Sequence, residues 1–303
     1  MVKKLLALMV GLAVILGASS CNVGQPKGQT ADDGKIKVVV TFDVLQHLVK
    51  AVGGDKVAVS VIVPDGTEVH DFEPKAKDLA ALSEADVFVY NGLGLESWVD
   101  EALASSDNSG LIVVNASEGA EPIVLTNAAE ISEHGQYDPH LWLSLKGAQV
   151  EVRNIQNALI KASPENKALF EQNGADFTAQ LEGLYAEYAT KFQTVSTKDF
   201  VTGHAAFGYL CRDFGLTQNS VEDVFAEGEP TAQKLAALIT YCREHNVKTI
   251  FAEQMASPAV SQTLANEVGA QVKTIYTLES SEDGQSYLQR MTANLASIYD
   301  SLK

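Results

Sequence analysis

The chain has 303 residues and carries 22 Lys+Arg against 39 Asp+Glu, a formal net charge of −17. Such a surface repels phosphates, which excludes ordinary nucleic-acid binding and points to a cation if the substrate is charged. With 46 % hydrophobic and 20 % charged residues, the composition is that of a globular protein, and about 300 residues leaves room for two lobes of ordinary size.

Residues 1–20 run from Lys3 and Lys4 through an apolar stretch, Leu5 to Leu16, to the small residues Gly17, Ala18, Ser19 and Ser20. The stretch is shorter than the roughly 20 residues of a membrane span, so it reads as a secretory signal. Cys21 follows directly, as in a bacterial lipobox, and would carry a lipid anchor. Residues 22–34 are polar with Gly and Pro, a tether.

Folded structure is expected from Lys35. Strand Ile36–Phe42, helix Val44–Val52 stopped by Gly53-Gly54, strand Lys56–Val63, helix Lys75–Ser83, strand Asp86–Tyr90, helix Leu95–Ala104 and strand Leu111–Val114 alternate as in an α/β lobe. Residues 116–137 read as a long acidic surface loop. Ser144 should cap a helix running to about Ala162, and Ser163-Pro164 a longer one of about 30 residues, with Phe170, Phe177, Leu181, Leu184, Tyr188 and Phe192 as its buried stripe. A second series follows: strand Phe200–Thr202, helices Ala205–Phe214 and Thr231–His245, strand Val247–Ala252, helix Pro258–Val268, strand Gln271–Tyr276 and helix Gly284–Leu302. The fold class expected is α/β, two lobes with mainly parallel sheets joined by one long helix. The division is 1–20 signal peptide, 21–34 lipidated tether, 35–163 N-terminal α/β lobe, 164–195 connecting helix and 196–303 C-terminal α/β lobe.

The three cysteines, Cys21, Cys211 and Cys242, contain no C-x-x-C pair, so a thiolate zinc site is not expected. Cys211 and Cys242 are either a disulfide or two buried thiols. Of six histidines, His47 and His245 lie in helices and read as structural, and His134 in the acidic loop as solvated. His70 in PDGTEVHDFEP, His140 in DPHLWLS and His204 in GHAAFGYL each stand at the edge of an element, where α/β folds place ligand sites. Three imidazoles and one carboxylate can build a tetrahedral zinc site, and Glu279 in YTLESSED is the candidate fourth group. Asp138 could accept from a ligand imidazole or shape the Asp-Pro turn; Glu253 could face the cleft or lie on the surface.

At these loops the chain resembles the zinc- and manganese-binding lipoproteins that deliver metal to bacterial ATP-binding cassette importers. The resemblance rests on Gly53–Asp100, Tyr137–Ser144 and Gly203–Leu210 and covers nearly the whole mature chain. It implies two α/β lobes joined by a long helix, with the metal between them held by His70, His140, His204 and, as in some zinc-binding members, Glu279. It also implies an exported monomer on the outer face of the cytoplasmic membrane or in the periplasm, anchored through Cys21, whose partner is a permease. Three histidines favour Zn²⁺ over Mn²⁺, which suits harder oxygen donors. The expected function is capture of Zn²⁺ as cargo, with no enzymatic activity. The alternatives are manganese delivery, a zinc hydrolase with Glu279 as general base, and a surface adhesin.

Overall fold

The computed structural model describes residues 34–226, 230–253, 258–281 and 284–303; the expected signal peptide and Cys21 lie outside them. The chain order is β1 (Ile36–Val40), α1 (Asp43–Gly53), β2 (Val57–Val61), α2 (Ala76–Leu79), β3 (Val87–Tyr90), α3 (Val99–Ser105), β4 (Ile112–Asn115), α4 (Ala128–His134), α5 (Leu145–Ala162), α6 (Lys167–Gln193), β5 (Asp199–Thr202), α7 (Gly208–Phe214), β6 (Thr217–Ser220), α8 (Ala232–Glu244), β7 (Thr249–Glu253), α9 (Pro258–Val268), β8 (Gln271–Ile275) and α10 (Tyr287–Ser301). The strands form two parallel four-stranded sheets, ordered β2-β1-β3-β4 and β6-β5-β7-β8. The two orders are the same pattern, so the lobes repeat a topology without repeating a sequence.

The inner strands β1, β3, β5 and β7 are covered on both faces, which is why they read as largely apolar runs. Val38, Val40, Val87 and Val89 face a shared inner core, while Val39 and Phe88 turn to an outer layer with Leu82, Val99 and Ala102. The second sheet divides in the same way: Phe200 and Phe251 face inward, and Val201 and Ile250 pack against Leu238, Cys242 and Leu264. The inner core is continuous from Ile36 to Leu302 and includes residues of α1, α5, α6 and α10. Within it α6 buries Phe170, Phe177, Leu181, Tyr188 and Phe192 along 27 residues, about 40 Å at 1.5 Å per residue. Leu184 is half-buried.

Several elements differ from expectation. The segment Lys75–Ser83 is one α-turn followed by a 3₁₀ stretch, Ala80–Glu84. The helix expected at Leu95 begins at Val99. The acidic loop contains α4, and its ends are tied by the Val124–Tyr137 bridge and the bond from Asp138 N to Ile123 O (3.0 Å). Ser144 Oγ does cap α5, accepting from Gly147 N at 2.8 Å, but the Ser163 hydroxyl is taken by Glu165 and a 3₁₀ turn, Pro164–Asn166, precedes α6. Strand β6, with the polar sequence TQNS, has no counterpart in the sequence reading. Cys211 and Cys242 are free and buried. Among the described residues no helix is long and apolar enough to cross a membrane.

Candidate metal centre

Each candidate ligand is delivered by a different loop. His70 follows β2, His204 follows β5 and Glu279 follows β8, all at the carboxyl ends of parallel strands, while His140 closes the Asp138-Pro139 turn before α5. The structure brings all four together, their ligand atoms lying within 4.8 Å of one another. His140 Nε2 is 3.2 Å from His70 Nε2 and 3.2 Å from His204 Nε2. Glu279 Oε1 stands 3.7, 3.6 and 3.9 Å from the Nε2 atoms of His70, His140 and His204. A tetrahedral zinc site with bonds of about 2.0–2.1 Å has ligand–ligand edges of about 3.4 Å. The cluster therefore has nearly the dimensions of a zinc tetrahedron.

The imidazoles are oriented from behind. His140 Nδ1 donates to Asp138 Oδ1 at 2.9 Å, and His204 Nδ1 to Glu253 Oε2 at 2.5 Å. Each bond takes up the Nδ1 side of the ring, so that Nε2 is the nitrogen turned toward a cation. Both carboxylates also accept from the backbone of the histidine they orient, at 2.9 Å in each case. Asp138 and Glu253 are thus part of the site, although the sequence had left each of them two readings. The motif GHAAFGYL acquires a physical reason as well. A Cβ on Gly203 would come within 3.0 Å of Glu253 Oε1, and one on Gly208 within 2.8 Å of Asp138 Oδ2.

Burial is nearly complete: the side chains of His70 and His140 are fully covered, and His204 and Glu279 are 2 % and 6 % exposed. Burial takes His70 down to about 4, leaving it neutral. For His204 burial works in the same direction, but the Glu253 carboxylate outweighs it and lifts the imidazole to about 10. Desolvation works against the charge of Glu279, but the neighbouring imidazoles of His140, His70 and His204 outweigh it and hold the carboxyl well below the usual carboxylate range. Its Oε2 accepts from Thr277 Oγ1 at 3.0 Å, whereas Oε1 has no hydrogen-bond partner among the described residues. An unpartnered buried carboxylate oxygen facing three imidazole nitrogens is the chemistry of a cation site. Burial and the charge of Glu279 also push nearby Glu68 up to about 7.

His47 and His245 lie outside the cluster, paired with Asp43 at 3.4 Å and Asp199 at 3.2 Å. His134 is not the solvated residue expected. Its ring stacks on Phe225 with centroids 4.0 Å apart, and Phe225 sets its edge against His70 at 5.5 Å. Phe225 escapes a sequence reading because nothing in an isolated loop aromatic announces a neighbour 155 positions away.

Residues 38–301 match the family described as the periplasmic component A of a zinc-uptake complex. The chain belongs to this family. The high-affinity zinc uptake system protein ZnuA of Bacillus subtilis is 38 % identical over 317 residues, covering 100 % of this chain and 99 % of its own. A protein of Treponema pallidum, provisionally named as metal-binding, is 45 % identical and covers 94 % of this chain and 93 % of its own. Among solved structures, a Zn(II)-bound variant of AdcAII from Streptococcus pneumoniae superposes with a TM-score of 0.80 at 32 % identity, covering 89 % of this chain and 99 % of that one. Family membership makes the chain a solute-binding component of zinc import and not an enzyme, and it agrees with the two-lobe fold.

Proposed function

We propose that His70, His140, His204 and Glu279 hold Zn²⁺ as cargo and that the chain passes it to the permease of an ATP-binding cassette importer. The observation that carries the reading is the convergence of three Nε2 atoms on one buried carboxylate oxygen, with two of the imidazoles oriented by carboxylates on Nδ1. Three nitrogens and one oxygen suit Zn²⁺ better than Mn²⁺, which takes more oxygen donors. Four protein ligands close a tetrahedral sphere and leave no position for a reactive water, which favours a carrier over a hydrolase.

The lipid anchor at Cys21 belongs to the same proposal. It would keep a monomer at the outer face of the cytoplasmic membrane or in the periplasm, beside its permease, with residues 35–163 and 196–303 as lobes and 164–195 as their connection. Elemental analysis of protein purified without added metal, followed by competition between Zn²⁺ and Mn²⁺, tests the metal. The expected result is one zinc per chain, retained against excess Mn²⁺; a metal-free chain that binds neither ion, or one that prefers Mn²⁺, overturns the proposal.

A further inference from the structure

The loop bearing Glu279 has an uncomfortable backbone. Leu278 has φ 63° and is fully buried. A bulky residue in the left-handed region is strained and persists only where its surroundings impose it. The loop is gripped on both sides of Leu278. Thr277 O accepts from Trp142 Nε1 at 2.8 Å, Ser280 Oγ accepts from Gly66 N at 2.8 Å, and Ser280 O accepts from Arg290 Nη1 at 2.8 Å.

Arg290 is the unusual member of this set. It projects from α10 into the core with no exposed surface, and its Nη2 donates to Asp43 Oδ2 at 2.7 Å. A guanidinium is retained in such a place only when paired, and here the pair spans the chain from α1 to α10. Its planar fork serves two acceptors at once, the Asp43 carboxylate on one arm and the carbonyl of the residue after Glu279 on the other.

We propose that Arg290, neutralised by Asp43, is a positioning residue for metal capture. It acts through the Ser280 carbonyl to hold the strained loop in the shape that presents Glu279 Oε1 to the three imidazoles. The inference rests on the reading of Glu279 as a ligand. Arginine makes the arrangement rigid, because a lysine ammonium in its place has no fork with which to reach both acceptors in one plane.

A double-mutant cycle on the full chain separates positioning from general support, with zinc dissociation constants measured by chelator competition and thermal unfolding of the metal-free form followed alongside. Arg290→Lys is expected to weaken zinc binding by about 10–100-fold, the range for residues that orient ligands, and to change it less than about twofold in the Glu279→Gln background. Asp43→Asn, which keeps an acceptor but removes the charge, should show the same dependence on Glu279 and serves where Arg290→Lys does not fold. An equal loss in both backgrounds overturns the positioning role alone. A Glu279→Gln chain that binds zinc as tightly as wild type removes the ligand reading, and this inference with it.

Discussion

His204 Nδ1 lies 2.5 Å from Glu253 Oε2 while its Nε2 lies 3.2 Å from His140 Nε2, so one ring is held by a carboxylate on one side and offered to the cluster on the other. If the carboxylate sets the ring's orientation and basicity, Glu253→Gln weakens zinc binding by about 10–100-fold without unfolding the protein. Asp138→Asn acts in the same way on His140. Chelator competition with circular dichroism as a fold control checks both, and unchanged affinities would show the bonds to be incidental.

Zinc should expel protons. With burial opposed and outweighed by Glu253, His204 titrates at about 10 in the metal-free site, so it carries a proton at pH 7.5 that metal must displace. Affinity therefore rises as pH increases from 7 toward 10 and falls in acid. Calorimetry at pH 7.5 in buffers of different ionisation enthalpy should report one proton or more released per zinc, because the burial of His140 is outweighed by Asp138 and Glu279, which raise it as well. A value near zero would mean that the imidazole is already neutral.

Much of this architecture is legible in the sequence, for a physical reason. Strands such as Ile36–Val40 and Val87–Tyr90 are buried on both faces and stand out as β-branched runs, and the stripe on α6 repeats at helical spacing. Strand β6 is not legible because its residues are polar and its form depends on pairing with β5. The short α4 is hidden in an acidic, weakly apolar segment whose ends are fixed by tertiary bonds. At the site, the three histidine loops are visible as element edges and motifs, whereas Glu279 is marked only by its place after a strand, one acid among several in YTLESSED. Arg290 leaves only a faint trace, a cation beside the apolar positions Tyr287, Met291, Leu295 and Ile298, where sequence reasoning defaults to the solvated face.

Glu151 should make the fold less stable as pH rises from about 4.5 to about 8. It is fully buried on α5, neither carboxylate oxygen has a partner among the described residues, and burial together with Glu96 pushes it up to about 8. Its folded pKa lies above the unfolded value, so the folded state keeps a proton that the unfolded chain gives up. Stability is unaffected below about pH 4.5, falls as pH rises from there, and levels off above about 8. Removing the titration with Glu151→Gln should raise stability at pH 8 relative to pH 4.5 by up to about 4 kcal/mol. Urea unfolding of metal-free protein at the two pH values measures this, and parallel pH profiles for both chains would refute it.

Gly208→Ala should separate fold from function. A helical alanine gains up to about 1 kcal/mol over glycine, yet the new Cβ would sit 2.8 Å from Asp138 Oδ2. The carboxylate can shift at small cost in stability, but in shifting it loosens its hold on His140. Thermal unfolding should change little while zinc affinity drops by about 3–10-fold; the reverse pattern would place the effect in packing.

The central claim is that His70, His140 and His204 create the zinc affinity. Chelator competition on wild type and on the His70→Ala, His140→Ala, His204→Ala triple variant tests it most directly. The account predicts a loss of at least about a thousandfold with the fold retained. Undiminished tight zinc binding by the triple variant would contradict it.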